Sequence, residues 1–154
     1  MHLADFVDFD AIKTALSAGN KRSLLQQLAN LAGQRLQLDS ATILASLTER
    51  EQLGSTGFGQ GVAIPHGKID GLTRIFGLFA RLAEPIDYKA IDGRRVDLVF
   101  LLLSPPDAGA EHLKALAAIS RVTRHAATLE KMRGARSRDA LAAVLMGADE
   151  RDAA

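Results

Sequence analysis

Chemistry in this chain has to be built from histidine, carboxylates, hydroxyls or backbone. The sequence contains no cysteine, which removes disulfides, thiolate nucleophiles, Cys-ligated zinc and iron–sulfur clusters together. Of the four histidines, His66 has the most informative neighbours. It stands between Pro65 and Gly67 at the end of residues 54–67, GSTGFGQGVAIPHG, which also hold Gly54, Gly57, Gly59 and Gly61. Proline fixes one dihedral and brings no donor, while glycine lets main chain approach a ligand closely. That combination can present an imidazole toward an anion cradled by backbone N–H groups. The same pattern also fits an incidental histidine on a surface loop, and spacing alone leaves both readings open. His112 follows Glu111 in the expected first turn of a helix, after the break at Pro105-Pro106. Helix N-termini attract phosphate, so His112 is either a second group on the same anion or an exposed helix-start histidine. His2, in a terminal segment, and His125, beside Arg121 and Arg124 on an expected solvated helix face, are assigned no function.

The better-known site patterns do not fit. Gly61 to Lys68 has five residues between its glycines and no Ser or Thr after the Lys, so it is not a P-loop. Gly57-Phe-Gly59 is followed by Val62 where a dinucleotide fingerprint needs glycine. No HExxH, HxH or EF-hand spacing surrounds a histidine, so no metal is expected. Ser55 and Ser104 are isolated hydroxyls without a GxSxG elbow.

The elements that must position these residues are legible in outline. Asn20 caps an expected helix carrying Leu24, Leu28, Leu31 and Ala32, with Gly33 near its end. A second helix is expected from Asp39 or Ser40, with Ile43, Leu44 and Leu47 inward, stopping before Gly54. The glycine-rich stretch reads as a loop entering a short strand over Val62 to Ile64. Arg74 to Leu82 and Val96 to Leu103 read as strands of a covered sheet, with a short strand or irregular crossing between them. After Ala108 to Ala110 a long helix is expected to about Ala127, with Leu113, Leu116, Ala117, Ile119 and Val122 as its apolar face. A last helix follows Ser137 and is expected to stop at Gly147. Helices, then strands, then helices predict an α/β fold: a three-layer α/β/α sandwich.

The chain has 154 residues and a formal net charge of +1 from 19 Lys+Arg and 18 Asp+Glu. That length predicts one domain, 1–154, and the balanced charge argues against a nucleic-acid binder. Asp5, Asp8 and Asp10 stand where an export signal would need basic residues, and the longest apolar run, Leu98 to Leu103, is far too short to span a bilayer. A cytoplasmic protein with no membrane insertion is expected.

Glu51, six residues, Phe58-Gly59, two residues and Val62-Ala63-Ile64-Pro65-His66-Gly67 together resemble the phosphohistidine signature of fructose/mannitol-type enzyme IIA domains of the bacterial phosphotransferase system. The stretches TEREQLGSTGFGQGVAIPHGK, PIDYKAIDGRRVDLVFLLLSPP and EHLKALAAISR most resemble the nitrogen-related branch, and the similarity runs from about Leu3 to Gly147. Arg95 departs from the proline expected before Val-Asp-Leu, outside the signature. The resemblance implies a mixed central sheet, and phosphorylation of His66 by a phosphorylated HPr-like carrier, either HPr or its nitrogen-type counterpart. It assigns His112 as a second active-site histidine and Arg50 as the cation near the phosphate, with no cofactor or metal. In the nitrogen-related branch it further implies partners that govern potassium, nitrogen or carbon metabolism. Two rival expectations are a sugar-specific IIA that passes phosphate to an enzyme IIB, and a binding module of the same fold without phosphoryl turnover. Joint retention of His66, His112 and Arg50 disfavours the second.

Overall fold

The computed structural model describes residues 1–153, and their side chains through residue 151. A six-stranded mixed sheet carries helices on both faces, the expected three-layer arrangement. Its centre is an antiparallel pair, β5 (Phe76–Ile86) and β6 (Val96–Ser104). Side chains of β6 alternate between the two faces: Val99, Leu101 and Leu103 join one core cluster, Leu98, Phe100 and Leu102 the other. A strand covered on both sides therefore reads as one continuous apolar run. Each of these fully buried leucines contributes roughly 1.5–3 kcal/mol.

Two helices cover the first face. Helix α1 (Lys21–Leu36) begins where the Asn20 side chain accepts the Ser23 N–H at 2.8 Å, and α2 (Ser40–Gln52) follows a left-handed Gln37. Leu24, Leu28, Ile43 and Leu47 are fully buried beneath them. Helices α3 (Gly109–Thr123), α4 (Ala126–Gly134) and α5 (Arg138–Ala153) cover the other face through Ala115, Ile119, Leu129, Met132, Leu141 and Leu145.

Several expectations need correction. The single helix expected to reach Ala127 is two helices, and His125 is the N-cap residue of α4 rather than part of a helix face. No Gly or Pro marks the break. Instead Val122 and Thr123 are β-branched, and the buried Thr123 hydroxyl donates back to Ile119 O at 2.9 Å. The apolar face of α3 is also rotated from the expected one: Leu113 is exposed and Ala117 faces solvent, while Ala115 and Ala118 are buried. Helix α5 runs through Gly147, because the next residue, Ala148, enters the core and the buried Asp149 after it accepts the Leu3 N–H at 2.9 Å. The same tie fixes the amino-terminal segment, where the N–H of His2 donates to Asp5 at 2.8 Å and Leu3 is fully buried. Strand β1 (Lys13–Leu16) escapes the sequence reading because it is a four-residue strand without a buried face, parallel to β5. Residues 87–95 form no strand, so the segment between β5 and β6 is an irregular crossing.

Candidate phosphoryl site

The glycine-rich stretch is three short strands rather than a loop leading to one: β2 (Gly57–Gly59), β3 (Val62–Ala63) and β4 (His66–Lys68). Strands β2 and β3 form a hairpin whose two turn residues, Gln60 and Gly61, have φ of 58° and 80°, as the twist of a two-residue hairpin requires. Strands β3 and β4 lie end to end along β6, with Val62 opposite Leu98 and His66 opposite Leu102, so the register continues across the gap. The gap is Ile64-Pro65. Proline has no N–H for the ladder, and the Ile64 N–H turns away to Thr56 O at 3.0 Å. His66 therefore opens a paired strand, and its backbone is held by β6. The expected cradle of glycine N–H groups does not form: Gly59 and Gly61 face Asp92, Asp97 and Arg133, and Gly67 alone among the glycines lines the depression around His66.

Three elements converge on that depression. His66 comes from β4, Arg50 from the last turn of α2, and His112 from the first turn of α3, with the two imidazole centroids 5.3 Å apart. Gly67 makes the convergence possible, since a Cβ there would collide with Ser46 Oγ of α2. The Nδ1–H of His66 donates to Ile64 O at 2.7 Å. A carbonyl only accepts, so the proton sits on Nδ1 and Nε2 keeps its lone pair. Arg50 Nε–H donates to that Nε2 at 3.2 Å, and Arg50 Nη1 is anchored on Gly54 O at 2.9 Å.

The electrostatics keep both rings neutral. Burial pushes the His66 pKa below its ordinary value and Arg50 adds to this, against the opposing pull of the Ile64 carbonyl and Glu51. His112 is pushed down to about 4, by burial first and then by His66 and Lys68.

Behind Arg50 stands a network that sequence reasoning did not assign. Glu51 accepts from Lys21 Nζ at 2.7 Å, Tyr88 Oη at 3.0 Å, the Thr56 N–H at 3.2 Å and the Thr56 hydroxyl. Burial alone raises the Glu51 pKa and is the largest influence, but the bonds from Lys21 and Thr56 together outweigh it and hold the carboxyl below its usual range. Thr56 O in turn receives Ile64 N–H, whose carbonyl holds His66. One carboxylate thus braces the segment on which the imidazole is mounted, and Glu51 at the head of the signature was the available signal. Tyr88, fully buried, carried none.

A neutral imidazole with an unprotonated Nε2, beside a guanidinium and a second imidazole, can take up a phosphoryl group without metal or nucleotide. Residues 5–147 match the family model described as phosphoenolpyruvate-dependent sugar phosphotransferase system, EIIA 2. The chain belongs to this EIIA 2 family. Among its relatives, a nitrogen regulatory protein of Bradyrhizobium diazoefficiens is 48% identical over 145 residues, covering 94% of this chain and 95% of the relative. The crystal structure of nitrogen regulatory protein IIA-Ntr from Neisseria meningitidis superposes with a TM-score of 0.88 at 34% identity, over 93% of this chain and 98% of that one. A fructose-specific EIIA component of Haloferax volcanii is 40% identical over 121 residues, 79% of this chain and 77% of the relative. The EIIA 2 fold thus accounts for the mixed sheet and the layers, and the family for a role in phosphoryl transfer. Among the described residues no helix is long and apolar enough to cross a membrane, and no group of three His, Asp or Glu residues is placed to hold a metal.

Proposed function

We propose that this EIIA 2 protein is a cytoplasmic phosphocarrier of the nitrogen-related phosphotransferase system, taking its phosphoryl group on Nε2 of His66 from a phosphorylated HPr-like protein. The observation that carries this is the pinned ring: Nδ1–H on Ile64 O, and Nε2 turned toward Arg50 beside His112. In the transfer, the Nε2 lone pair attacks phosphorus, the N–P bond of the donor breaks, and its electron pair returns to the donor imidazole. No proton has to leave His66. Positive charge that develops on its ring is spread through Nδ1–H onto the Ile64 carbonyl, and Arg50 moves from ring nitrogen to phosphoryl oxygen.

The likeness to proteins named nitrogen regulatory protein supports a regulatory output, in which partners of potassium, nitrogen or carbon metabolism distinguish the phosphorylated from the free form. A phosphoryl group adds close to two negative charges to a protein of net charge +1, which is enough to change which surface it fits. The Haloferax relative favours a second reading, a fructose-type carrier that hands phosphate to an enzyme IIB. Incubation with phosphorylated HPr and, separately, nitrogen-type HPr, followed by intact-mass measurement, tests the assignment. One acid-labile phosphoryl group is expected, absent in His66→Ala. A variant that loads as fast as the parent would refute His66 as the acceptor.

A further inference from the structure

We propose that Ser104 is a positioning residue that places the ring proton of His112 on Nε2, making His112 a hydrogen-bond donor to the phosphoryl group. This rests on the phosphocarrier reading above. Ser104 is the last residue of β6, opposite Lys68 of β4, and is completely buried. Its hydroxyl has a single hydrogen-bond partner among the described residues, Nδ1 of His112. Its backbone carbonyl is separately engaged by the Ile69 N–H at 2.8 Å.

Donor accounting then decides the proton. A neutral imidazole has one N–H, and a serine hydroxyl has one hydrogen to place. If His112 carried its proton on Nδ1, that N–H would point at Ser104 Oγ, and the hydrogen of this solvent-inaccessible hydroxyl would have no acceptor among its partners. A buried donor without a partner loses its hydration for nothing. If Ser104 instead donates to Nδ1, both groups are satisfied and the proton of His112 lies on Nε2. The neutral state this requires is the one favoured by burial and by the neighbouring His66 and Lys68.

The two histidines become complements. Nδ1 of His66 faces a carbonyl, which can only accept, so its Nε2 is the lone-pair end. Nδ1 of His112 faces a hydroxyl, which can donate, so its Nε2 is the hydrogen-bearing end. With the rings 5.3 Å apart, one nitrogen attacks phosphorus and the other offers N–H to a phosphoryl oxygen. Without the Ser104 hydroxyl nothing enforces that second orientation.

The test uses the full chain labelled with ¹⁵N. Long-range ¹H–¹⁵N correlation spectra of the imidazoles report which nitrogen of each ring is protonated, whether or not the protein accepts phosphate. The parent is expected to show His112 protonated on Nε2 with a hydrogen-bonded Nδ1. In Ser104→Ala the Nδ1 signal should move toward that of an unbonded or partly protonated nitrogen. Single-turnover loading from phosphorylated HPr should fall about 10–100-fold, the usual cost of losing a partner that orients an active-site imidazole, at a parent-like melting temperature. Ser104→Thr, which keeps the hydroxyl, should stay with the parent in both measurements. A parent His112 protonated on Nδ1, or a Ser104→Ala protein that loads at the parent rate, overturns the assignment. Failure of the parent to load at all refutes the phosphocarrier reading instead, and the spectra still decide the tautomer.

Discussion

The Nε–H of Arg50 donates to Nε2 of His66 at 3.2 Å, so the guanidinium occupies the lone pair that attacks phosphorus in the proposed reaction. Its anchor on Gly54 O lets Nη1 stay fixed while the other nitrogens swing to a phosphoryl oxygen. Arg50→Ala should load about 10²–10³-fold more slowly in single turnover, the usual cost of one preorganised donor to developing charge. Arg50→Lys should recover little of it, because one ammonium cannot hold Gly54 O and the ring nitrogen with a fixed fork. A lysine variant as fast as the parent would show that charge alone suffices.

The approach of α2 to β4 depends on the pair Gly67 and Ser46, where any added Cβ meets Ser46 Oγ. Gly67→Ala should push α2 outward, carrying Arg50 away from His66, and slow loading about tenfold or more. Ser46→Ala removes the colliding hydroxyl, which otherwise donates to Lys68 O at 3.0 Å. Combined with Gly67→Ala it should restore part of the loss. Additive effects in the double-mutant cycle would count against direct coupling of the two positions.

Acid sensitivity should come from the same groups. Both His66 and His112 titrate below their ordinary value in the folded protein, His112 at about 4, whereas in the unfolded chain they protonate near 6.5. Below 6.5 the unfolded state therefore binds more protons, and stability declines as pH falls from there toward 4. Glu51, also depressed, adds stability that is present above about 4.3 and lost as pH falls through its folded value. Thermal melts should be level above pH 7 and drop progressively below 6.5, with a shallower drop for His112→Gln. Parallel pH slopes for parent and variant would contradict the depressed His112.

The chain announces its site more clearly than its frame. Arg50, His66 and His112 are far apart in sequence, and the spacing of Pro65, His66 and Gly67 marked only one of them. His112 was marked by its place at a helix start with both readings left open, Arg50 entered through resemblance alone, and the sheet explains why the three meet. Gly67 admits α2, and His66 at the start of β4 lies 5.3 Å, ring to ring, from His112 in the first turn of α3. What stayed hidden were features carried by partners distant in sequence. Lys13–Leu16 becomes a strand only because β5 offers an edge, Tyr88 matters only because Glu51 folds over it, and α5 passes Gly147 only because Leu3 needs Asp149. Local propensity contains none of these.

Docking of the carrier should depend on two leucines that the fold leaves in water beside the site. Leu53 is 82% exposed and lines the depression around His66, and Leu113, 67% exposed, follows His112 directly. Neither belongs to the core clusters, so replacing them should leave the melting temperature within about a degree or two of the parent. An apolar contact beside the reacting nitrogen would exclude water from the transfer and strengthen the charges of Arg50 and the phosphoryl group. Glutamine is the informative substitute, since a carboxylate would also repel the incoming phosphate and mix two effects. Leu53→Gln combined with Leu113→Gln should raise the concentration of phosphorylated HPr needed for half-maximal loading about tenfold or more. The rate at saturation should change much less, because His66, Arg50 and His112 are untouched. A rise in neither quantity would mean that the carrier approaches His66 from elsewhere. A fall in the saturated rate alone would mean that the leucines act on the chemistry rather than on docking.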